Sequence, residues 1–414
     1  MKINTNPVRG TEDYGPKDMA VRESVRQTIL KTYKQYGFLQ IKTPIIEDIN
    51  LLLGSDAGDN SKLMYKVLKR GEKLDLTKEN LTQLDLVDLG LRYDLTVPLV
   101  RFFCNNQANL SMPFKAIQID DVFRADRPQR GRSRQFCQCD IDIIGDTKKS
   151  AEVELLYVAG ITLAKLGFDK FVFKINDKRI LDSVITASGF NSEAVFDVCV
   201  TLDKLNKIGL DGIQAELQEK GYGLDIIENL LAKLDKVAKD GLESLRTVNE
   251  EAVNDLNYII ENVTKLAQGK YTVEYDISII RGQSYYTSTV YEVYCDGFRG
   301  ACGAGGRYDK MVERISGMDY PAVGFSIGFE PVCMLLKEQG KTATQEGVVI
   351  FCEKDDNIAD VIMAEKEFES YNRVTYAYKA KNFNFQKQKM KDMGYTKYCF
   401  FDNRELRDLW LLKN

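Results

Sequence analysis

The chain has 414 residues, of which 44% are hydrophobic and 29% charged, and its formal net charge is −4. This length allows roughly two to four domains with buried cores, and the acidic balance argues against non-specific coating of nucleic acid. The sequence contains no histidine, which excludes Ser-His-Asp and Cys-His nucleophilic catalysis, imidazole bases and histidine-ligated metal sites.

The sequence also carries no targeting signal that we can identify. The N-terminal stretch lacks the apolar region of a signal peptide, and no apolar run approaches the roughly 18 residues that span a bilayer. The nine cysteines fit neither a zinc knuckle nor a redox CxxC motif. We therefore expect a cytoplasmic protein with reduced thiols that does not bind membranes.

The first third of the chain predicts one helix followed by strands. A helix that ends near Gly37 is indicated by apolar residues at helical spacing, namely Val21, Val25, Ile29 and Tyr33 or Tyr36. Residues 39–48 predict a short strand that Pro44 interrupts. From about Leu86 to Ile144 the pattern is strand-like, with turn residues between the apolar runs.

The stretch RQFCQCDIDII, residues 134–144, predicts a strand with two different faces. One face is apolar, formed by Cys137, Cys139, Ile141 and Ile143. The other face is polar, formed by Arg134, Phe136, Gln138, Asp140 and Asp142. A face with a cation, an aromatic ring, an amide and two carboxylates is a poor core, so we interpret it as the floor of a binding site.

The loop that leads into this strand is rich in arginine. Within residues 122–136 it carries Arg124, Arg127, Arg130, Arg132 and Arg134. Such a loop could be a solvated hairpin tip. Because guanidinium groups bind phosphate and Phe136 offers a stacking surface for a base, the alternative is a nucleotide site, which we favour.

The remaining chain predicts a helical segment between strands and a small α/β domain. Residues 178–268 are helical in pattern, strands resume at residues 271–279 and 288–295, and the glycine-dense stretch 300–310 predicts a turn. Beyond residues 340–345 the order is β-α-β-α-β with a parallel component. The expected domains are residues 1–177 and 269–340, forming two parts of one core, 178–268 as an insertion, and 345–414.

Two further clusters have more than one interpretation. Asp94 and Thr96 lie in an apolar setting, so Asp94 either forms a structural ion pair or binds a cationic group of a ligand. Arg281 ends an apolar strand shortly before Tyr285 and Tyr286. These three are either a surface arginine with two core tyrosines or part of a site.

Several motifs, in order, resemble the class II aminoacyl-tRNA synthetases and specifically the histidyl-tRNA synthetases. VRGTEDYGP resembles the N-terminal segment of that family, YGFLQIKTPIIED its dimer-forming motif 1, and LRYDLTVPLVRFF its amino-acid-binding strand. FRADRPQRGRSRQFCQCDIDIIG resembles motif 2, and GFSIGFEP occupies the place of motif 3. RGQSYYTSTVYEV and GAGGRYDKM resemble two signatures specific to histidyl enzymes.

The resemblance implies an α+β fold with a mainly antiparallel catalytic sheet, a helical insertion and a shortened C-terminal α/β anticodon-binding domain. It implies a homodimer that activates L-histidine with ATP and Mg²⁺ to histidyl-adenylate. The histidyl group is then transferred to the 3′ end of tRNA-His. Attack by the histidine carboxylate on the α-phosphate builds negative charge that arginines can stabilise.

By motif matching, the resemblance also implies residue roles. The catalytic residues beside the α-phosphate are Arg124 and Arg281. The histidine site comprises Asp94, Leu95, Thr96, Gln138, Asp142, Tyr285 and Tyr286 together with those two arginines, with Asp142 and Tyr286 on the imidazole. The ATP site comprises Arg124, Arg134, Phe136 and Glu330. The residues facing the tRNA acceptor end are Arg127, Gln129 and Arg130. No side-chain metal site is expected beyond contacts with Mg-ATP.

Two departures from the family pattern bear on activity. Motif 3 normally has an arginine after its acidic residue, but here Pro331 follows Glu330. Loss of that phosphate contact costs about 1.5–3 kcal/mol unless a cation such as Arg307 replaces it. The C-terminal domain is also short. Both departures favour a non-catalytic paralogue, such as the regulatory subunit of ATP phosphoribosyltransferase. Retention of Arg124, Arg281 and the arginine-rich loop argues against it, so an active histidine–tRNA ligase is the leading hypothesis. A third alternative is a paralogue that transfers the adenylate to another acceptor.

Overall fold

The computed structural model describes residues 3–54, 60–280, 285–340 and 346–409. The chain forms two compact units, one of Met1–Thr11 with Gln27–Leu335 and one of Glu12–Arg26 with Leu336–Asn414. The finer division predicted at residues 177 and 268 stays a prediction.

Eleven strands belong to the first unit as described: β1 Leu39–Gln40, β2 Ile46–Asp48, β3 Lys66–Leu68, β4 Val87–Leu91, β5 Phe114–Phe123, β6 Gln135–Ile144, β7 Phe171–Asp177, β8 Thr272–Tyr275, β9 Thr289–Cys295, β10 Gly303–Arg307 and β11 Ala322–Gly328. Eight of them form one sheet in the order β1-β5-β6-β11-β10-β9-β7-β8, and β2, β4 and β3 form a small sheet. In the large sheet only the two edge pairings, β1 with β5 and β7 with β8, are parallel. The prediction of an α+β fold with a mainly antiparallel sheet is confirmed.

The helices before the C-terminal strands are α1 Pro16–Gln35, α2 Ile49–Gly54, α3 Asn60–Leu63, α4 Gln83–Leu86, α5 Thr96–Asn106, α6 Ser150–Lys165, α7 Lys178–Ala187, α8 Val195–Leu202, α9 Leu205–Glu219, α10 Leu224–Asp240, α11 Glu250–Ala267, α12 Lys310–Ser316 and α13 Phe329–Glu338. Short 3₁₀ turns occupy Gly71–Lys73, Gln107–Asn109, Leu242–Leu245 and Glu365–Phe368. None of the helices in the described ranges is long and apolar enough to cross a membrane.

The predicted first helix and the predicted helical segment are both present. Helix α1 ends before Gly37, which has a φ of +82°, a conformation that favours glycine. Helices α7 to α11 fill residues 178–267. In α10, the residues Ile227, Leu230 and Leu234 are buried on one stripe, as expected for an amphipathic helix that packs through one face.

The strand-like interpretation of residues 86–144 is wrong over one stretch. Helix α5 begins at Thr96, and Asp94 Oδ1 accepts a hydrogen bond of 3.2 Å from the Val97 backbone amide. This contact satisfies one of the amides that a helix leaves unpaired at its start. The dense run of apolar residues in α5 hid the helical period, because Val97, Leu99, Val100 and Phe103 are all buried.

The glycine-dense stretch is also not a turn. Residues 303–307 form β10, which lies between β9 and β11 in the large sheet. A Cβ atom on Gly305 would lie 2.1 Å from the Gly324 carbonyl oxygen and 2.7 Å from the Tyr291 ring. The glycines therefore serve close packing inside the sheet rather than chain reversal.

The second unit has the predicted β-α-β-α-β order. Its elements are β12 Gly347–Cys352, α14 Ile358–Ala364, β13 Arg373–Tyr378, α15 Phe383–Asp392, β14 Lys397–Phe400 and β15 Arg407–Asp408. Strand β12 pairs in parallel with β13 and β14, and β15 adds an antiparallel edge. The short C-terminal sequence thus still forms a four-stranded sheet.

The close packing around β10 predicts that adding one methyl group at Gly305 destabilises the protein. Because the new Cβ of Gly305→Ala would meet a backbone oxygen that cannot rotate away, we expect a loss of about 3 kcal/mol or more in the free energy of unfolding. Urea denaturation measures this loss. Gly54→Ala is the matched control, since none of the described residues outside its own helix comes within 4 Å of its added Cβ. Equal stability of the two variants would refute the packing role of Gly305.

Candidate active site

The site is built on β6, the third strand of the large sheet. Asp140 and Asp142 are 4% and 3% exposed, although each carries a carboxyl group. The alternate residues Cys139, Ile141 and Ile143 are buried in the core. The structure therefore has the predicted strand, with its carboxylates on the face opposite the apolar one.

The neighbouring strand β11 makes room for these carboxylates. Gly324 pairs with Asp142 and Ser326 pairs with Asp140. A Cβ atom on Gly324 would lie only 2.0 Å from Asp142 Oδ1, so only glycine fits there. The Ser326 hydroxyl forms a hydrogen bond with Asp140, and Gln138 Nε2 lies 3.5 Å from Ser326 Oγ.

Tyr308 is a site residue that the sequence analysis missed. Its hydroxyl donates a hydrogen bond of 2.5 Å to Asp142 Oδ1, and its ring centroid lies 6.1 Å from that of Tyr285. The predicted residues Tyr285 and Tyr286 lie side by side, with ring centroids 4.8 Å apart. The signal for Tyr308 was its position directly after the glycine strand β10, but that strand had been interpreted as a turn.

Asp94 lies in the turn from β4 to α5, together with Leu95 and Thr96. The segment resembling an amino-acid-binding strand is therefore a strand-to-helix turn. Asp94 is 2% exposed, and within the described chain its Oδ2 atom has no hydrogen-bond partner. The Leu95 carbonyl accepts a hydrogen bond of 2.8 Å from Gln118 Nε2. The first interpretation of Asp94 was a structural ion pair, and the described residues provide none. The positive charge of Arg124 nevertheless lowers the pKa of Asp94.

Burial shifts the protonation of all three carboxylates. It raises the pKa of Asp94 to about 6 and that of Asp142 to about 7. The pKa of Asp140 is raised well above its ordinary range by burial and then by the Asp142 charge. Arg124 opposes the shifts of Asp94 and Asp140. A cationic ligand would lower all three pKa values, because it stabilises the ionised carboxylates.

Arg124 and Phe136 lie together at the ends of β5 and β6. The Arg124 guanidinium carbon is 5.1 Å from the Phe136 ring centroid, and Arg124 Nε donates a hydrogen bond of 2.8 Å to the Tyr93 carbonyl. The structure thus brings a half-buried cation and a half-buried aromatic ring to the rim of the carboxylate floor. Glu330 reaches the same strand, because its Oε1 accepts a 3.1 Å hydrogen bond from the Cys137 amide.

The arginine loop is a tight hairpin. Gln129 and Arg132 exchange backbone hydrogen bonds of 3.1 and 2.9 Å at its tip. The predicted tRNA-contacting residues Arg127, Gln129 and Arg130 are exposed. Arg134, by contrast, is half-buried, and its Nε donates a hydrogen bond to the Asp126 carbonyl at 3.1 Å.

Two other predicted cations are not part of the described site. Arg281 lies outside the described residues, so its role stays a prediction. Arg307, which the sequence offered as one possible replacement for the missing motif 3 arginine, is engaged by carboxylates instead. Arg307 is 2% exposed and donates to both Glu152 oxygens, at 2.7 and 2.6 Å. Asp309 adds a further ion pair at 3.2 Å, so carboxylates on two sides engage the guanidinium.

A mainly antiparallel sheet with a carboxylate floor, and an arginine and an aromatic ring at its rim, agrees with the resemblance to the class II aminoacyl-tRNA synthetases. A sequence profile of the histidyl-tRNA synthetase family matches residues 10–332. The chain is 36% identical over 411 residues to the histidine–tRNA ligase of Leifsonia xyli subsp. xyli, and the match covers 96% of this chain and 95% of that protein. The chain belongs to the histidyl-tRNA synthetase family.

Two solved structures share the fold. One is a histidyl-tRNA synthetase from Nostoc sp. PCC 7120, with a TM-score of 0.75, 24% identity and coverage of 96% of this chain and 91% of that one. The other is described as an ATP phosphoribosyltransferase regulatory subunit/histidyl-tRNA synthetase from Bacillus halodurans C. Its TM-score is 0.76, its identity 17%, and the coverage 97% and 99%. At these identities the likeness concerns the fold alone.

The carboxylate cluster predicts that the free energy of unfolding falls as the pH rises. Burial raises the pKa of Asp142 from 3.8 to about 7. Below about pH 4 the carboxyl group is protonated in both the folded and the unfolded protein, and its contribution to stability is fully present. That contribution is lost as the pH rises through 7. We expect Asp142→Asn to stabilise the ligand-free protein at pH 8 by a few kcal/mol, on the order of 2–4, with little gain at pH 4–5.

Thermal unfolding of both proteins between pH 4 and pH 8 tests this expectation. The asparagine can still accept the Tyr308 hydrogen bond, so the variant removes the charge without removing the contact. Asp296→Asn, at an exposed position, is the control and should follow the wild type. Parallel curves for Asp142→Asn and the wild type would contradict the assignment of a destabilising buried charge.

Proposed function

We propose that this protein is an active histidine–tRNA ligase that forms histidyl-adenylate and transfers the histidyl group to tRNA-His. The observation that carries the proposal is the set of three buried carboxylates, Asp94, Asp140 and Asp142, next to the paired Arg124 and Phe136. An amino acid with a cationic amino group and a protonatable side chain fits the first group. A nucleotide phosphate and base fit the second group.

The polar atoms that have no partner support the placement of histidine. Asp94 Oδ2 and Gln138 Oε1 are buried and, within the described ranges, accept no hydrogen bond. An α-ammonium group donates three hydrogen bonds and would satisfy both, with Thr96 beside them. Asp142, oriented by Tyr308, then accepts from the imidazole, and Tyr286 with Tyr285 forms the wall of the same pocket. Apolar amino acids would leave these groups unpaired.

ATP belongs at the rim of the floor. In this proposal Phe136 stacks on adenine, and Arg124 stabilises the charge that develops on the α-phosphate during attack by the histidine carboxylate. Arg281 would act from the other side, Arg134 would contact the phosphates, and Glu330 would fix the strand that carries Phe136. Mg²⁺ enters with ATP as the counter-ion of its phosphates.

Two surfaces are proposed to bind tRNA-His. The exposed hairpin residues Arg127, Gln129 and Arg130 face the acceptor end. In the second unit, Lys389 lies 5.0 Å from the ring centroid of the exposed Phe385. Lys379 and Lys381 are also exposed, and the half-buried Lys387 lies 5.2 Å from the Phe383 ring centroid. Lysines interleaved with aromatic rings are typical of single-stranded RNA binding, which supports an anticodon-binding role for residues 345–414.

Exposed apolar residues support a homodimer. Leu39, Ile46, Leu68 and Leu89 are 57%, 49%, 56% and 37% exposed, and they lie on β1 and the small sheet. Exposed apolar side chains mark an interface where they form one patch, and we propose that these four do so. We therefore propose that motif 1 and the small sheet pair two copies of the chain in the cytoplasm.

One observation favours the alternative of a non-catalytic regulatory paralogue. Pro331 stands where the family has an arginine, and Arg307 cannot replace it. Against this alternative, Arg124 and Phe136 retain a geometry that a regulatory subunit does not need. The third alternative, an adenylate-forming enzyme that does not use tRNA, leaves the exposed arginine hairpin without a role.

Histidine-dependent ATP–pyrophosphate exchange separates these functions. With Mg²⁺ present, we expect exchange that depends on L-histidine, followed by charging of a tRNA-His transcript in a second assay. Exchange without charging would support the third alternative. Absence of exchange in a folded protein that binds L-histidine would support the regulatory paralogue and refute our proposal.

The two proposed catalytic arginines predict a specific kinetic pattern. Arg124→Ala and Arg281→Ala should each lower kcat for pyrophosphate exchange by about 100-fold or more, since each removes charge stabilisation that is greatest in the transition state. The KM for histidine should change much less. Arg246→Ala, on the helical segment, is the control. Unchanged kcat in either variant would remove that arginine from catalysis.

A further inference from the structure

The tip of the arginine hairpin, residues 124–134, packs on an aromatic ring from another part of the chain. Gly131, with a φ of +75°, lies so close to Phe298 that a Cβ atom would be 3.0 and 3.2 Å from two ring atoms. Gly300 approaches the same end of the ring, with a Cβ position 3.0 Å away. Two glycines therefore allow the Phe298 ring to contact the hairpin tip closely.

Phe298 is held firmly by its own loop, which connects β9 to β10. The Phe298 amide donates a hydrogen bond of 3.3 Å to the Cys295 carbonyl, and the Cys302 amide donates one of 2.7 Å to Val293. The Cys302 carbonyl in turn accepts from Gly328 at 2.8 Å. These bonds tie both ends of the loop to central strands of the sheet, so the ring has a fixed base.

The base of the arginine hairpin is held independently of Phe298. The Arg124 amide donates to the Arg134 carbonyl at 2.9 Å, and the Arg134 amide donates to Gly10 at 2.7 Å. Strands β5 and β6 also pair without interruption from Phe114 to Phe123. The positions of Arg124 and Phe136 therefore depend on the sheet, whereas Gly131 at the tip rests on the Phe298 ring.

We propose that Phe298 is a positioning residue for the tRNA acceptor end. By fixing Gly131, it fixes the direction of Arg127, Gln129 and Arg130 before RNA binds, so that less entropy is lost on binding. Phe298 itself touches neither histidine nor ATP in this proposal. The inference rests on the proposed function of the hairpin, but it concerns the second reaction step alone.

Phe298→Ala should therefore separate the two half-reactions. We expect its KM for tRNA-His to rise about tenfold, the change that a modest loss of binding free energy produces. Histidine-dependent pyrophosphate exchange should stay within about twofold of the wild type. Phe298→Tyr keeps the ring and should behave as wild type in both assays. Phe196→Ala, at a 59% exposed position on α8, is the matched control.

Three results would overturn the proposal: an unchanged KM for tRNA in Phe298→Ala, an equal loss in both half-reactions, or a loss in Phe298→Tyr as large as in the alanine variant. If Phe298→Ala does not fold by circular dichroism, Phe298→Leu is measured under the same criteria. Failure of the wild type to charge tRNA at all would refute the proposed function instead.

Discussion

The burial of three carboxylates, two on one face of β6 and one in the turn before α5, is the constraint on which the rest of the site depends. A carboxylate away from water is costly unless it is paired, hydrogen-bonded or protonated. Here Asp142 has Tyr308, Asp140 has Ser326, and Asp94 caps α5. These contacts stabilise the groups only in part, because the pKa values stay raised. The fold thus holds a cluster of acids that a cationic ligand would stabilise.

This constraint also explains the glycines of the neighbouring strands. Gly324 leaves space for the Asp142 carboxylate, and Gly306 leaves space for the Tyr286 ring, since a Cβ at either position would lie within 2.9 Å of that group. Glycine weakens a strand on its own. The sheet tolerates it here because β10 and β11 are paired on both sides. The glycines lower the stability of the two strands, but they leave a pocket in which polar side chains lie close together.

The floor of the site could be predicted from sequence because side chains alternate between the two faces of a strand, which a short stretch of sequence shows. The two faces of residues 134–144 follow from alternation alone. Asp94, Arg124 and Tyr286 were candidates from their local setting, and the motif resemblance gave them roles. Other features depend on which strands become neighbours, which no local pattern reveals. Interpreting β10 as a turn hid Tyr308, and α5 was missed because it is buried on nearly all sides. The Arg307–Glu152 pair joins residues 155 positions apart, so no local sequence pattern could predict that ion pair.

Because Glu152 engages Arg307, that residue does not supply the charge that is missing at Pro331. The ATP site that we propose relies on Arg124, Arg134 and Arg281 rather than on a motif 3 cation. The histidine site that we propose, by contrast, consists of side chains that the structure describes, apart from Arg281. We therefore propose, as the central claim, that the carboxylate floor selects a ligand by its positive charges.

Calorimetric titration at pH 7.5 with L-histidine, L-histidinol and 3-(imidazol-4-yl)propionate tests that claim most directly. Histidinol keeps the amino group and the imidazole but lacks the carboxylate, whereas the propionate lacks the amino group. If the buried carboxylates select the ligand, histidinol binds about as tightly as histidine, and the propionate loses about 100-fold or more in affinity. Equal affinity for histidine and the propionate would contradict the account.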